Sequence, residues 1–195
     1  MKIVRIQVKN KYINYPIFVG NNSIKLLRQQ IKKVCPTTKK VAIIFDKNIP
    51  IKFKKKIKKL LKGYKIFTRE YLPNENLKSF SKANQLSEYL LENNFNRNDT
   101  IIAVGGGIIG DFSGFVASIL KRGMNFINLP STLLAQVDSS IGGKTGINSR
   151  NGKNLIGSFY QPKLVISELS FLKSLPNREI VCGFAEILKY SLIKD

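Results

Sequence analysis

Two Gly-flanked lysines, Lys144 and Lys153, a lone carboxylate, Asp138, and an Asn partner, Asn154, stand within residues 131–162, STLLAQVDSSIGGKTGINSRNGKNLIGSFYQP. Ammonium groups in Gly-rich turns suit anionic oxygens, because glycine lets backbone N–H groups approach the same anion. The run has no long amphipathic period, so ordinary core packing does not account for it. A second Gly-rich turn, GGGIIGD at 105–111, precedes it and satisfies G-x-G-x-x-G through Gly105, Gly107 and Gly110. A turn of this kind before a helix brings pyrophosphate to the helix N-terminus. The acidic residue expected about 20 positions later is missing, and the motif follows a later strand than the first. Together the two segments point to a phosphorylated ligand beside a nucleotide.

Other candidate groups are sparser. Glu75 and Lys78, in PNENLKS, can grip ribose hydroxyls and phosphate or form a surface pair of little energy. Asp111 sits near the start of the helix after the glycines, as a ligand contact or a favourable first-turn charge. Glu186 and Lys189 lie i,i+3 on a helix with Phe184, Ile187 and Leu188 as neighbours. Two readings stand there: a metal ligand beside a substrate contact, or an intrahelical ion pair.

The elements that must position these groups alternate between strand and helix. Residues 2–8 and 12–19 read as a strand pair closed by Val19 and Gly20, and a helix follows from Ser23 as N-cap, with Ile24, Leu27, Ile31 and Val34 on one face. VAIIF at 41–45 and TIIAV at 100–104 are apolar runs of buried parallel strands. Between them lie a Lys-rich amphipathic helix over 50–62, a strand over 64–72 and a helix from Ser79 to Asn93. A helix over 108–121, strands at 125–130 and 164–168, and a last helix from Asn177 to the end complete the order. The polar clusters at 46–48, 73–78, 105–111 and 130–132 all follow strands. This is the rhythm of a Rossmann-like α/β fold, an open, mostly parallel sheet with helices on both faces, whose ligands gather at the carboxyl ends of strands.

Composition excludes several classes. A chain of 195 residues with 43% apolar content is long enough for one well-buried domain and is not disordered. No apolar run reaches the ~18 residues of a membrane span, and the start has no signal-peptide core, which predicts a cytoplasmic protein without membrane partners. Cys35 and Cys182 match no metal spacing and read as free thiols. The net charge of +21 is spread along the chain, rarely interleaved with aromatics, and accompanies an excess of Asn and Ile. AT-rich coding produces such a composition, so nucleic acid is not the expected partner. Histidine is absent, which removes the commonest zinc ligand.

In order and spacing, GGGIIGDFSGF, LPSTLLAQVDSSIGGKTGIN, GKNLIGSFYQP and LKSLPNREIVCGFAEILKY resemble the amino-terminal half of the 3-dehydroquinate synthases, within the sugar phosphate cyclases. The resemblance covers essentially the whole chain. It implies a lyase of the shikimate pathway, leading to chorismate and the aromatic amino acids, with tightly bound NAD and a zinc or cobalt ion. It would convert 3-deoxy-D-arabino-heptulosonate 7-phosphate into 3-dehydroquinate and phosphate. A ring alcohol is transiently oxidised, phosphate is eliminated, the ketone is reduced back, and an aldol step closes the carbocycle.

By motif, the resemblance assigns Asp46 and Asn48 to the adenosine half of NAD, and Glu75 and Lys78 to an acidic–basic turn in which Pro73 and Asn74 replace Asp-Gly. It assigns Gly105, Gly106, Gly107, Gly110 and Asp111 to the pyrophosphate turn, and Ser131 and Thr132 to a hydroxyl pair. Asp138, Lys144 and Lys189 correspond to substrate contacts, Lys144 also to a cofactor contact, and Lys153 and Asn154 lie where substrate and cofactor meet. Phe171, Leu172, Lys173 and Ser174 match a cofactor-lining stretch. Arg122 resembles an arginine lent to the neighbouring subunit's phosphate site in a homodimer, and Glu186 the first of three metal ligands. The other two are histidines of a helical carboxy-terminal domain, and catalytic zinc takes three protein ligands. The resemblance therefore implies a nucleotide-binding domain over 1–175, the first helix of a truncated second domain over 176–195, and an incomplete metal site that a separate chain could complete. Another cyclase specificity and a non-catalytic basic remnant that binds nucleic acid are the alternatives.

Overall fold

Strands that are apolar on both sides need cover on both faces, and the runs around VAIIF, TIIAV and LVISE find it in one sheet. In a computed structural model describing residues 2–9 and 13–193, the order is β1 (Val4–Lys9), β2 (Asn14–Gly20), α1 (Leu27–Val34), β3 (Lys40–Asp46), α2 (Ile51–Leu60), β4 (Lys65–Tyr71) and α3 (Phe80–Glu92). Then come β5 (Thr100–Gly105), α4 (Gly107–Ile119), β6 (Asn125–Pro130), β7 (Lys144–Ser149), β8 (Gly152–Phe159), β9 (Leu164–Glu168) and α5 (Asn177–Ile193). Seven strands form one sheet in the order β1-β2-β9-β6-β5-β3-β4. Only the β1–β2 pairing in that sheet is antiparallel. The expected strand start at residue 12, and the final residues 194 and 195 of the last expected helix, lie outside the described residues.

Alternation along the strands divides the core. Ile43, Phe45, Ile102 and Val104 pack with Leu27 and Ile31 of α1 and Phe53 and Ile57 of α2. Ala42, Ile44, Ile101 and Ala103 pack with Leu86 and Leu90 of α3 and Phe112 and Val116 of α4 on the other face. From β3 the chain moves outward to β4, whereas from β5 it moves the other way to β6. The carboxyl ends of β3 and β5 therefore flank the switch point of the sheet, where such folds open a crevice.

Three local expectations are corrected. Ser23 does not cap the first helix: its hydroxyl donates to the Ser167 carbonyl (3.1 Å), and residues Ser23–Leu26 form a 3₁₀ turn. The buried Glu168 carboxylate takes the capping role, accepting the N–H groups of Asn22 (2.9 Å) and Ile24 (3.2 Å). The Lys-rich face of α2 is not wholly solvated: Lys54 is buried, donating to the Lys47 carbonyl and ion-paired with Glu70 at 2.7 Å. Residues 131–162 contain an antiparallel hairpin, β7–β8, and a π-helical turn, Ala135–Ser139. Neither is legible in the sequence, because Gly and polar residues mask the strand alternation.

The hairpin lies on α4, where Gly114 makes room for it. A Cβ at Gly114 would stand 2.5 Å from Thr145 Cγ2 and 3.2 Å from the Phe126 ring. Thr145 has little freedom to swing aside, because its hydroxyl donates to the Ser158 carbonyl at 3.0 Å. Alanine gains about 1 kcal/mol over glycine in a helix interior, whereas overpacking costs about 1–3 kcal/mol. Gly114→Ala is expected to lower stability in urea unfolding by about 1 kcal/mol net, with faster amide exchange in the hairpin. A gain in stability would show that the hairpin yields.

Candidate functional site

The switch point collects the first group of residues. Asp46 ends β3, is buried, and accepts the Asn48 N–H at 2.8 Å. Burial pushes its carboxyl above the ordinary range, against the pull of that hydrogen bond. Gly105 ends β5 opposite it. A Cβ there would stand 2.7 Å from Ile109 and 3.1 Å from the Asp46 Cβ, so only glycine lets the strand turn this tightly into α4. Gly106 is the N-cap of α4 and supplies no side-chain hydrogen bond, and no acidic residue occupies the first turn. The helix terminus thus offers N–H groups and positive dipole to an anion. Gly107 and Gly110 follow within α4. Ser131 donates its N–H to the Gly105 carbonyl at 2.9 Å, and the Thr132 hydroxyl accepts the Ala135 N–H at 3.2 Å.

Asp111 is no first-turn charge. It lies in the second turn and faces Lys78 at 2.6 Å. Nor do Glu75 and Lys78 pair with each other. Lys78 is buried, and its ammonium also donates to Asn154 Oδ1. Glu75 instead accepts Asn148 Nδ2 at 2.7 Å and meets Lys153 at 3.4 Å. The Asn148 hydrogen bond, helped by Lys153, holds the Glu75 carboxyl below its ordinary range. Lys153 is therefore not an unpaired ammonium, although its exposed ion pair has little energy. Asn154 takes φ of 59°, a left-handed conformation that Asn tolerates better than most residues.

Asp111 and Asn154 border a cavity of about 810 Å³ whose lining also includes Asp138, Ser139, Lys144 and Tyr190. Lys144 is exposed at its edge and has no ion-pair partner among the described residues. Asp138, in the π-helical turn, accepts the Tyr190 hydroxyl at 2.8 Å. That hydrogen bond raises the Tyr190 phenol above its ordinary value. Asn148 and Tyr190 end two of the segments that carry the resemblance, but neither carries an assigned role, because their partners, Glu75 and Asp138, lie far away in sequence.

Glu186 and Lys189 form an intrahelical ion pair on α5, which raises the lysine above its ordinary value. Among the described residues no group of three or more His, Cys, Asp or Glu could hold a metal, and the chain has no histidine. Glu186 is one candidate ligand where three are needed, so the residues present do not fit a catalytic metal.

Phe171 packs in the core edge-on to Phe53 at 4.8 Å between ring centroids, so its side chain is committed there. Leu172, Lys173 and Ser174 continue the same 3₁₀ segment, Leu169–Ser174, which follows the carboxyl end of β9. Arg122 follows α4 and precedes β6, near the amino ends of the central strands, whereas the glycine turn lies at their carboxyl ends. Within one chain the length of α4, about 20 Å, separates it from the glycine turn.

Lys78→Met would leave the Asp111 carboxylate, only 24% exposed, without its counter-charge. Breaking such a pair costs about 3 kcal/mol. Burial already raises the Asp111 carboxyl, and Lys78 opposes that rise. A raised carboxyl contributes stability at low pH that is lost as pH rises through its folded value, and removing the lysine extends that loss upward. In urea unfolding, the Lys78→Met deficit is expected to be largest near neutral pH and to shrink on acidification. A deficit independent of pH would contradict the pairing.

Residues 70–182 match the model of the family described as 3-dehydroquinate synthase N-terminal. The 3-dehydroquinate synthase of Pelagibacter ubique is 48% identical over 193 residues, covering 99% of this chain and 52% of that protein. That of Caulobacter vibrioides is 43% identical, covering 93% of this chain and 50% of that protein. Among solved structures, 2-deoxy-scyllo-inosose synthase complexed with carbaglucose-6-phosphate, NAD+ and Co2+ is similar with a TM-score of 0.88 at 26% identity. It covers 95% of this chain and 50% of that one. The fold likeness extends to a 2-epi-5-epi-valiolone synthase from Streptomyces hygroscopicus, with a TM-score of 0.75 at 24% identity and coverage of 93% of this chain and 50% of that one. The chain spans about half the length of the curated relatives it matches. By the family match and the identity along its length, it belongs to the 3-dehydroquinate synthase family.

Proposed function

We propose that this chain is the nucleotide-binding part of a 3-dehydroquinate synthase, a lyase acting on 3-deoxy-D-arabino-heptulosonate 7-phosphate. The observation that carries the reading is the glycine turn into an uncapped α4 at the switch point, beside the buried Asp46. These residues fit NAD. The turn from Gly105 to Gly107 would hold its pyrophosphate, and Asp46 and Asn48 its adenosine half. The Glu75–Lys78 turn, Ser131, Thr132, Lys153 and the 171–174 segment complete its surroundings. NAD, when bound, would supply a transient acceptor for hydride from a ring alcohol.

The chain's own groups divide the remaining work. Lys144 would bind anionic oxygens of the substrate at the cavity edge. Asp138, held by Tyr190, would accept a hydrogen bond from a ring hydroxyl. Asn154 presents its amide between the two ligands while Lys78 fixes it, and Lys189 would join the substrate contacts. A zinc or cobalt ion would take Glu186 as one ligand and the rest from outside these 195 residues. Arg122, at the end of α4 away from the glycine turn, would serve the phosphate site of a neighbouring subunit in a homodimer.

Residues 1–175 form the nucleotide domain in this reading, and 176–195 begin the helical one. Val181, Phe184, Leu188 and Leu192 of α5, all exposed, would be covered by the rest of that domain. No helix among the described residues is long and apolar enough to cross a membrane. The free Cys35 and Cys182 fit the reducing cytoplasm. Identity of 48% to a named 3-dehydroquinate synthase, against 26% to the inosose synthase, favours the former substrate.

Calorimetric titration with NAD at two salt concentrations tests the reading. One saturable site per chain is expected, persisting at the higher salt, where non-specific attraction to a chain of charge +21 is screened. Purified alone, the chain should hold no stoichiometric zinc and turn over no substrate. Absence of NAD binding in a chain folded by circular dichroism would overturn the assignment, and stoichiometric zinc would overturn the metal argument.

A further inference from the structure

Asn148 ends the GGKTGIN run with no role assigned to it, yet it touches Glu75, Lys78 and Asn154, the last of which lines the cavity. Its N–H donates to the Lys78 carbonyl at 2.8 Å. Its Nδ2 donates to Glu75 Oε2 at 2.7 Å and to the Glu75 carbonyl at 3.3 Å, and its Oδ1 accepts the Asn154 N–H at 3.0 Å. Lys78 closes the ring by donating to Asn154 Oδ1 and to Asp111. One carboxamide thus joins the turn after β4 to the β7–β8 hairpin, segments more than 70 positions apart.

The hairpin is built to aim this side chain. Ile147 pairs with Ile156 and Ser149 with Gly152, so the register shifts at Asn148. One residue on β7 therefore faces three on β8, and a bulge of this kind re-aims side chains away from the ladder. Lys153 and Asn154 lie on the extra arc, and the left-handed φ of Asn154 belongs to it. The chemistry required at 148 is narrow: a donor toward a carboxylate and an acceptor toward an amide, from one short side chain. Asparagine meets it. Aspartate has the acceptor but sets a like charge against Glu75.

We propose that Asn148 is a positioning residue, the clamp that locks the Glu75–Lys78 turn to the Lys153–Asn154 bulge so that both meet one bound nucleotide. The proposal rests on the nucleotide reading of the site. The groups facing position 148 are Glu75 and Lys78 of the turn, Lys153 of the bulge and, through Lys78, Asp111 of α4.

The test compares wild type, Asn148→Ala and Asn148→Asp in the full chain, by NAD calorimetry across pH and by hydrogen exchange. Both variants should bind NAD at least tenfold more weakly near neutral pH. Measured against wild type at each pH, Asn148→Asp should recover affinity on acidification, because a neutral carboxyl can donate to Glu75 again, whereas Asn148→Ala should not. A role limited to stability would not produce that difference in pH profile. In Asn148→Ala the Asn154 amide should exchange at least tenfold faster, with the amides of β5 unchanged. Wild-type affinity in both variants, or parallel pH profiles, would overturn the proposal. If wild type itself failed to bind NAD, the nucleotide reading would fall. The Asn154 exchange rate would then decide the clamp, and an unchanged rate would refute it.

Discussion

The site depends on an ammonium that has been taken out of water. Lys78 is almost wholly buried, and a buried cation persists only where carboxylate and carbonyl oxygens replace its hydration. Asp111 and Asn154 provide those oxygens from α4 and from the hairpin, while the backbone of Lys78 receives Asn148. One side chain therefore fixes three segments that are remote in sequence, and two of them, α4 through Asp111 and the hairpin through Asn154, line the cavity. The sheet beneath sets only where this happens: strands diverge from the β3–β5 boundary, and the crevice opens at their carboxyl ends.

Most of the sheet was legible in the sequence, because a parallel strand buried on both faces is written as an unbroken apolar run. Helix boundaries also followed from local chemistry, as at Ser79, whose hydroxyl caps α3 by accepting the Lys82 N–H. Ser23 shows where local chemistry loses. The same residue type stands at a helix start, but Glu168, 144 positions away from Ile24, supplies the cap. The hairpin was hidden for a related reason. Its strands carry Gly146 and Gly157 face to face and polar residues at most other positions, so no period of two survives.

The site was legible as a list of residues and illegible as a set of partnerships. Glu75 and Lys78, three apart, suggested a pair, and the fold turns them in different directions toward Asn148 and Asp111. Both Gly-flanked lysines suggested anion binding, yet Lys153 meets Glu75, while Lys144 remains available at the cavity edge. Spacing along a chain identifies groups able to do chemistry, but charges find counter-charges through tertiary contacts that spacing does not encode. Glu186 and Lys189 are the exception, because i,i+3 on a helix is itself a contact.

The central claim is that the glycine turn and the uncapped start of α4, beside Asp46, receive the pyrophosphate and adenosine of a nucleotide. Mapping backbone amide chemical shifts during NAD titration of the isotopically labelled chain tests it most directly. The account predicts the largest shifts at residues 105–110 and at 46–48, with smaller ones along 75–78 and 153–154. Saturable shifts confined to other surfaces, such as the lysine face of α2, would contradict it.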